Sequence, residues 1–172
     1  TRLARRAPLG LAATAAIALS GGLLLVEALG LLHPTKNIVD AIFHAHRLEW
    51  VMEGRYLFTQ PMPSGVRFPY AIALYVVSMP FGWIVEDHVA LLKIVVLVSR
   101  ALAGLSVYAV VARAWGDRRA GLVALGLFHA VPLPFVAIGN ANMTYAFGQS
   151  VAVAAIVAAA IVGVSGGGMR GA

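Results

Sequence analysis

Asp40 is the first residue whose position suggests chemistry. It stands eight residues beyond a long apolar run, Leu9–Leu32, at the start of a stretch with helical periodicity. A carboxylate placed there can take a proton from an acceptor hydroxyl or amine while a lipid-anchored donor keeps its tail in the bilayer. The same carboxylate can instead cap the helix, where an acid complements the helix dipole. A little further on, His46, Glu49 and Glu53 fall on one helix face at i, i+3 and i+7, beside His44, a pattern that can gather two or three metal ligands. An ordinary wet helix face gives the same pattern, and no H-E-x-x-H string is present.

Other polar residues lie inside or beside apolar runs. Arg100 sits about ten residues into one of them, where a lipid-facing charge costs several kcal/mol. It should face protein, water or an anionic group such as a lipid phosphate, and a carboxylate partner would serve equally. Glu27, near the end of the first run, can reach the interface. Lys93 is a second phosphate contact by location, or a snorkelling lysine. Asn140, Asn142 and Gln149 place amides at one mouth of the last two runs, where they can hold sugar hydroxyls or close a turn. Cysteine is absent, which excludes disulfides, thiolate catalysis and Cys-ligated zinc. Gly-rich phosphate loops and Ser/His/Asp arrangements are absent too.

The elements that must position these groups are set by solvent. The chain has 172 residues, 60% hydrophobic and 12% charged, with a mean hydropathy of +0.86. Soluble domains carry about 25% charged residues, and apolar runs of about 18 or more match the ~30 Å hydrocarbon layer. The pattern predicts an all-α integral membrane protein with spans at about 9–32, 89–112, 121–139 and 145–164. The formal charge of +6 flanks these runs rather than forming a basic stripe among aromatics, so it reads as topological charge and not as a nucleic-acid surface. The first run is longer than a signal-peptide core and lacks an Ala-x-Ala site close behind it, so it reads as a retained helix. The chain opens on Thr1 and stops in a Gly-rich tail after the last run, which reads as a fragment of something longer.

Residues 33–88 hold most of the acids and all but one of the histidines. Helical periodicity runs from Ile38 to Glu53, with Asn37 as N-cap and Gly54 as stop. Ile38, Ile42, Ala45, Leu48 and Met52 supply an apolar stripe, while Asp40, His44 and Arg47 share another face. That suits a helix lying in the interface. Phe68–Val85 is apolar but broken by Pro69, Pro80 and Gly82. Arg2–Arg6 and Arg113–Arg119 both belong on the cytoplasmic side by the positive-inside rule, which requires two crossings between them. Phe68–Val85 is therefore expected to be a second juxtamembrane helix, and 33–88 a large outer loop.

This layout resembles the integral-membrane glycosyltransferases of the GT-C fold, a superfamily that includes protein mannosyltransferases, oligosaccharyltransferases and aminoarabinose transferases. Their shared module has one span, an outer loop with two amphipathic helices, then further spans. The stretches Asp40–Arg47, Glu53–Tyr56 and Gly65–Tyr70, the last at the expected start of the second outer helix, are similar to the corresponding family regions. The resemblance implies a sugar carried on polyprenyl phosphate as donor, transfer on the outer or periplasmic side of the inner membrane, and Asp40 as general base. The acceptor, whether glycan, lipid or protein, stays open. Arg67 and Arg55, in the outer loop, are the nearest phosphate contacts by location. Arg67 is preferred because a neighbouring helix start also favours an anion. Arg67, Arg55, His44, Asn140, Asn142 and Arg100 make up the candidate substrate-binding set. Many relatives place an acid, often a metal aid, in the loop before the fourth span. Here the loop Asn140–Thr144 has none, so a divalent metal stays an open question as cofactor. A transporter or channel subunit, with Glu27 and Arg100 lining a path, and a non-catalytic membrane scaffold are the rival readings.

Overall fold

The computed structural model describes residues 10–33, 41–61, 64–131 and 142–167. Helix α1 (Leu11–Leu32) is followed by α2 (Ala41–Met52), by a two-stranded antiparallel ribbon of β1 (Thr59–Pro61) and β2 (Arg67–Pro69), and by α3 (Ala73–Gly82). Helices α4 (His88–Trp115), α5 (Arg118–Ala130) and α6 (Met143–Gly167) complete the described chain. Among the described residues, three stretches are long and apolar enough to cross a membrane: Ala13–Leu32, His88–Trp115 and Met143–Val162. The chain is thus mostly helical and built for a membrane. The span expected at 121–139 overlaps α5, which starts earlier, at Arg118. Residues 132–141 lie outside the described residues.

Local chemistry explains where the elements stop. Gly54 adopts φ 77°, Gly54 N–H donates to the Val51 carbonyl and Arg55 N–H to that of Trp50, a Schellman end to α2 at the glycine expected to stop it. Asp87 caps α4 by accepting from Ala90 N–H at 2.9 Å, and Asp117 caps α5 by accepting from Arg119 N–H at 2.8 Å. Gly116, at φ 65°, makes the left-handed turn between α4 and α5. The helix start expected at residues 37–38 lies outside the described residues.

The expected helix over Phe68–Val85 is corrected. Arg67, Phe68 and Pro69 form β2, with Pro61 opposite Arg67 and Thr59 opposite Pro69. A ribbon of two strands is all edge, so proline is tolerated at its ends. The helix begins only at Ala73 and ends at Gly82, ten residues or about 15 Å, half the hydrocarbon thickness. Its buried face is Leu74, Tyr75, Ser78 and Gly82, while Val76, Val77 and Phe81 point outward.

Packing fixes the order of helix ends. Leu31, Leu48, Val51, Leu74, Tyr75, Leu91, Leu92, Val96, Met143 and Phe147 form one buried apolar cluster. The end of α1 and the starts of α4 and α6 therefore meet α2 and α3 at one end of the bundle, here termed the crown. At the opposite end Gly10 lies against the Arg119 guanidinium, and further along Gly126 lies against Ala16. Helices α1 and α5 thus run parallel. Helix α4 folds back on α5 at very close range: a Cβ on Gly121 would come within 2.9 Å of the Tyr108 carbonyl oxygen, and one on Gly104 within 2.9 Å of His129 Nε2.

Candidate functional site

The crown is organised around Arg47, which with Arg100 is the largest side chain buried to 2% exposure. Four consecutive contact positions of α2, namely His44, Arg47, Leu48 and Val51, face inward at helical spacing. Arg47 donates to the Leu57 carbonyl at 2.9 Å and to Gln60 Oε1 at 2.5 Å, clamping the ribbon to the helix. Its guanidinium lies over the rings of Tyr70 (4.6 Å), Phe43 (5.3 Å) and Trp50 (5.4 Å). A planar, weakly hydrated cation suits such an aromatic cage in a way a lysine does not. His44 Nδ1 lies 2.7 Å from the Tyr75 hydroxyl, and the Tyr70 and Tyr75 rings stack with centroids 6.5 Å apart. Burial, reinforced by the Tyr70 hydroxyl, pushes the Tyr75 phenol well above its ordinary range, so Tyr75 is a neutral hydrogen-bonding group at any physiological pH.

These placements revise several expectations. The stripe thought to face the apolar side contributes only part of the buried face, since Ile42 is 71% exposed while His44 and Arg47 are buried. Arg55 pairs with Glu53, both half-exposed. Arg67 is exposed on β2, six residues before α3, so the helix start expected to strengthen its hold on an anion lies elsewhere. Asn142 is exposed and its carbonyl accepts from Ala146 N–H. Asp40 and Asn140 lie outside the described residues, and in the sequence Asp40 directly precedes α2. His46 and Glu53 are exposed, and Glu49 approaches His88 at 3.5 Å. Among the described residues no group of three His, Asp or Glu is placed to hold a metal, so the His46–Glu49–Glu53 reading does not fit one.

A second polar centre lies within the bundle. Arg100, twelve residues or about 18 Å along α4, approaches Glu27 of α1 with Nε 2.5 Å from Oε1, both nearly fully buried. The contact is an ion pair by distance, without hydrogen-bond alignment of those two atoms. The Arg100 guanidinium lies 5.7 Å from the Phe128 ring, and buried His129 packs beside it against Gly104. Of the surroundings open to Arg100, the structure selects protein, and Glu27 is turned inward rather than to the interface. Lys93 shares the inward face of α4 and is 8% exposed.

A third feature is apolar. A cavity of about 580 Å³ opens between α3, α4 and α6, lined by Phe81, Leu91, Val95, Val98, Leu102 and Phe147 among others. The protons of its two serines are engaged within the protein, Ser99 and Ser150 donating to the Val96 and Ala146 carbonyls of their own helices. From Leu91 to Leu102 the cleft follows α4 for about 16 Å, starting at the crown.

Sequence reasoning missed Arg47 as a structural hub, along with Tyr70, Tyr75, Gln60 and His129. For His129 one signal existed: a polar ring alone in the apolar run that follows Arg119, next to Phe128. No family model, curated protein or solved structure matches the chain.

Proposed function

We propose that the chain is a membrane glycosyltransferase module that moves a sugar from polyprenyl phosphate to an acceptor at the crown, with Asp40 as general base. The observation that carries this reading is the apolar cleft of about 580 Å³ that starts at the crown and descends along α4. An occupant with no polar requirement and a length of three or four isoprene units suits it. The polar end of such a donor then lies at the crown, where α2 packs, and in the sequence Asp40 directly precedes α2.

In the reaction the Asp40 carboxylate removes the acceptor proton as the acceptor oxygen or nitrogen bonds to the anomeric carbon. The bond from that carbon to the phosphate oxygen breaks, its electron pair leaves with the polyprenyl phosphate, and configuration inverts. Arg67, exposed on β2, and Lys93, about 8 Å along α4, are the cations suited to the departing phosphate. His44 and Arg47 act indirectly by holding the crown together. The close pairing of Glu27 with Arg100 favours this reading over a transport path, because neither charge is left to a passing solute.

The test is Asp40→Asn in the full-length protein, assayed with a panel of polyprenyl-phosphate sugars. Transfer should fall by about 10²–10⁴-fold, the usual contribution of a positioned base. Unchanged transfer in a normally inserted variant would remove the proposal.

A further inference from the structure

The β1–β2 ribbon and its flanks expose side chains that water does not favour. Tyr56, Leu57, Phe58, Val66 and Phe68 are 45–65% exposed, although the ribbon is fixed to α2 through Arg47. Phe58 and Phe68 share one face of the ribbon by its register, and exposed apolar side chains gathered in this way mark a contact with something else. Charge narrows the choice: between Arg55, which pairs with Glu53, and Glu86 the chain carries one charged residue, Arg67, and no acid. The same end of the molecule carries Trp83 and Ile84, 74% and 80% exposed, just before α4 begins. Exposed aromatics near an arginine, at the end where apolar helices emerge, match the headgroup layer, where amphipathic rings and cations are both favoured.

We propose that the outward surface of the ribbon is seated in the anionic headgroup layer of the membrane that holds the long helices, as a monotopic anchor made of β-structure. Phe58, Val66 and Phe68 enter the acyl boundary, and Arg67, on the opposite face of β2 from Phe68, reaches back to lipid phosphates above them. The inference does not depend on sugar transfer. It concerns only the depth of the ribbon.

The experiment uses the full chain in lipid bilayers, with Trp50, Trp83 and Trp115 replaced by Phe and a single reporter introduced as Phe58→Trp or, separately, Phe68→Trp. Lipids brominated high on the acyl chain, within the ~5–10 Å depth of an interfacial segment, should quench at least about half of the emission, and aqueous iodide little. Arg67→Gln should weaken bromolipid quenching in bilayers containing anionic lipid and leave it unchanged in zwitterionic ones. Strong iodide quenching without bromolipid quenching would mean a surface free for a soluble partner and would overturn the proposal. Protection from both quenchers would mean burial against protein, and would overturn it as well.

Discussion

Replacing Glu27 tests the interior of the bundle most directly. In Glu27→Leu the Arg100 guanidinium, 2% exposed, loses the carboxylate 2.5 Å from its Nε. Two unit charges with centres about 4 Å apart interact by about 4 kcal/mol at an effective dielectric near 20. Removing one member of a buried pair costs about 3–5 kcal/mol, because the survivor stays desolvated. Unfolding in mixed micelles titrated with SDS should therefore show Glu27→Leu and Arg100→Met each destabilised by about 3 kcal/mol or more, over a hundredfold in the equilibrium. The double variant replaces the pair with apolar groups and should return to within about 1–2 kcal/mol of the parent, the Phe128 cation–π contact accounting for part of the remainder. Single variants costing under about 1 kcal/mol, with additive effects, would refute the reasoning. They would mean that water reaches the pair.

Arg47→Lys keeps the charge but loses the fork to Leu57 and Gln60 and the fit to the aromatic cage. It should cost about 2–3 kcal/mol and make residues 55–70 sensitive to limited proteolysis, while Arg55→Lys should change neither. Gly121→Leu cannot be accommodated against the Tyr108 backbone, so α4 and α5 should separate, and SDS titration in mixed micelles should show a loss of about 1–3 kcal/mol. Tyr75 gives an alkaline signature. Its folded phenol keeps a proton that the unfolded chain loses above about pH 10, so it withdraws about 1.4 kcal/mol of stability per pH unit above that point. Tyr75→Phe should flatten the alkaline slope relative to the parent, after losing about 1 kcal/mol at neutral pH with its bond to His44.

How much was legible depended on the range of the determining interaction. The long helices were readable because a bilayer imposes a length on local composition, and Gly54 was readable as a stop because left-handed backbone is a local demand. The ribbon was not. Each strand has three residues and a proline, and Phe68–Val85 reads as one apolar run until Arg47 is seen holding Leu57 and Gln60. The burial of Arg47 and His44 was hidden for the same reason: their partners are ten to thirty-one residues away. For Arg100 the sequence established that a partner was needed but could not choose among protein, water and lipid. The choice came from α1 packing beside α4.

The two-residue connection between α4 and α5, Gly116 and Asp117, has a consequence for folding. A left-handed glycine followed at once by a capping aspartate leaves no slack, so neither helix can settle in the bilayer without fixing the position of the other. The pair should fold as one helical hairpin, with Arg113, Arg118 and Arg119 gathered at its apex. Lengthening that connection would let each helix find its position alone.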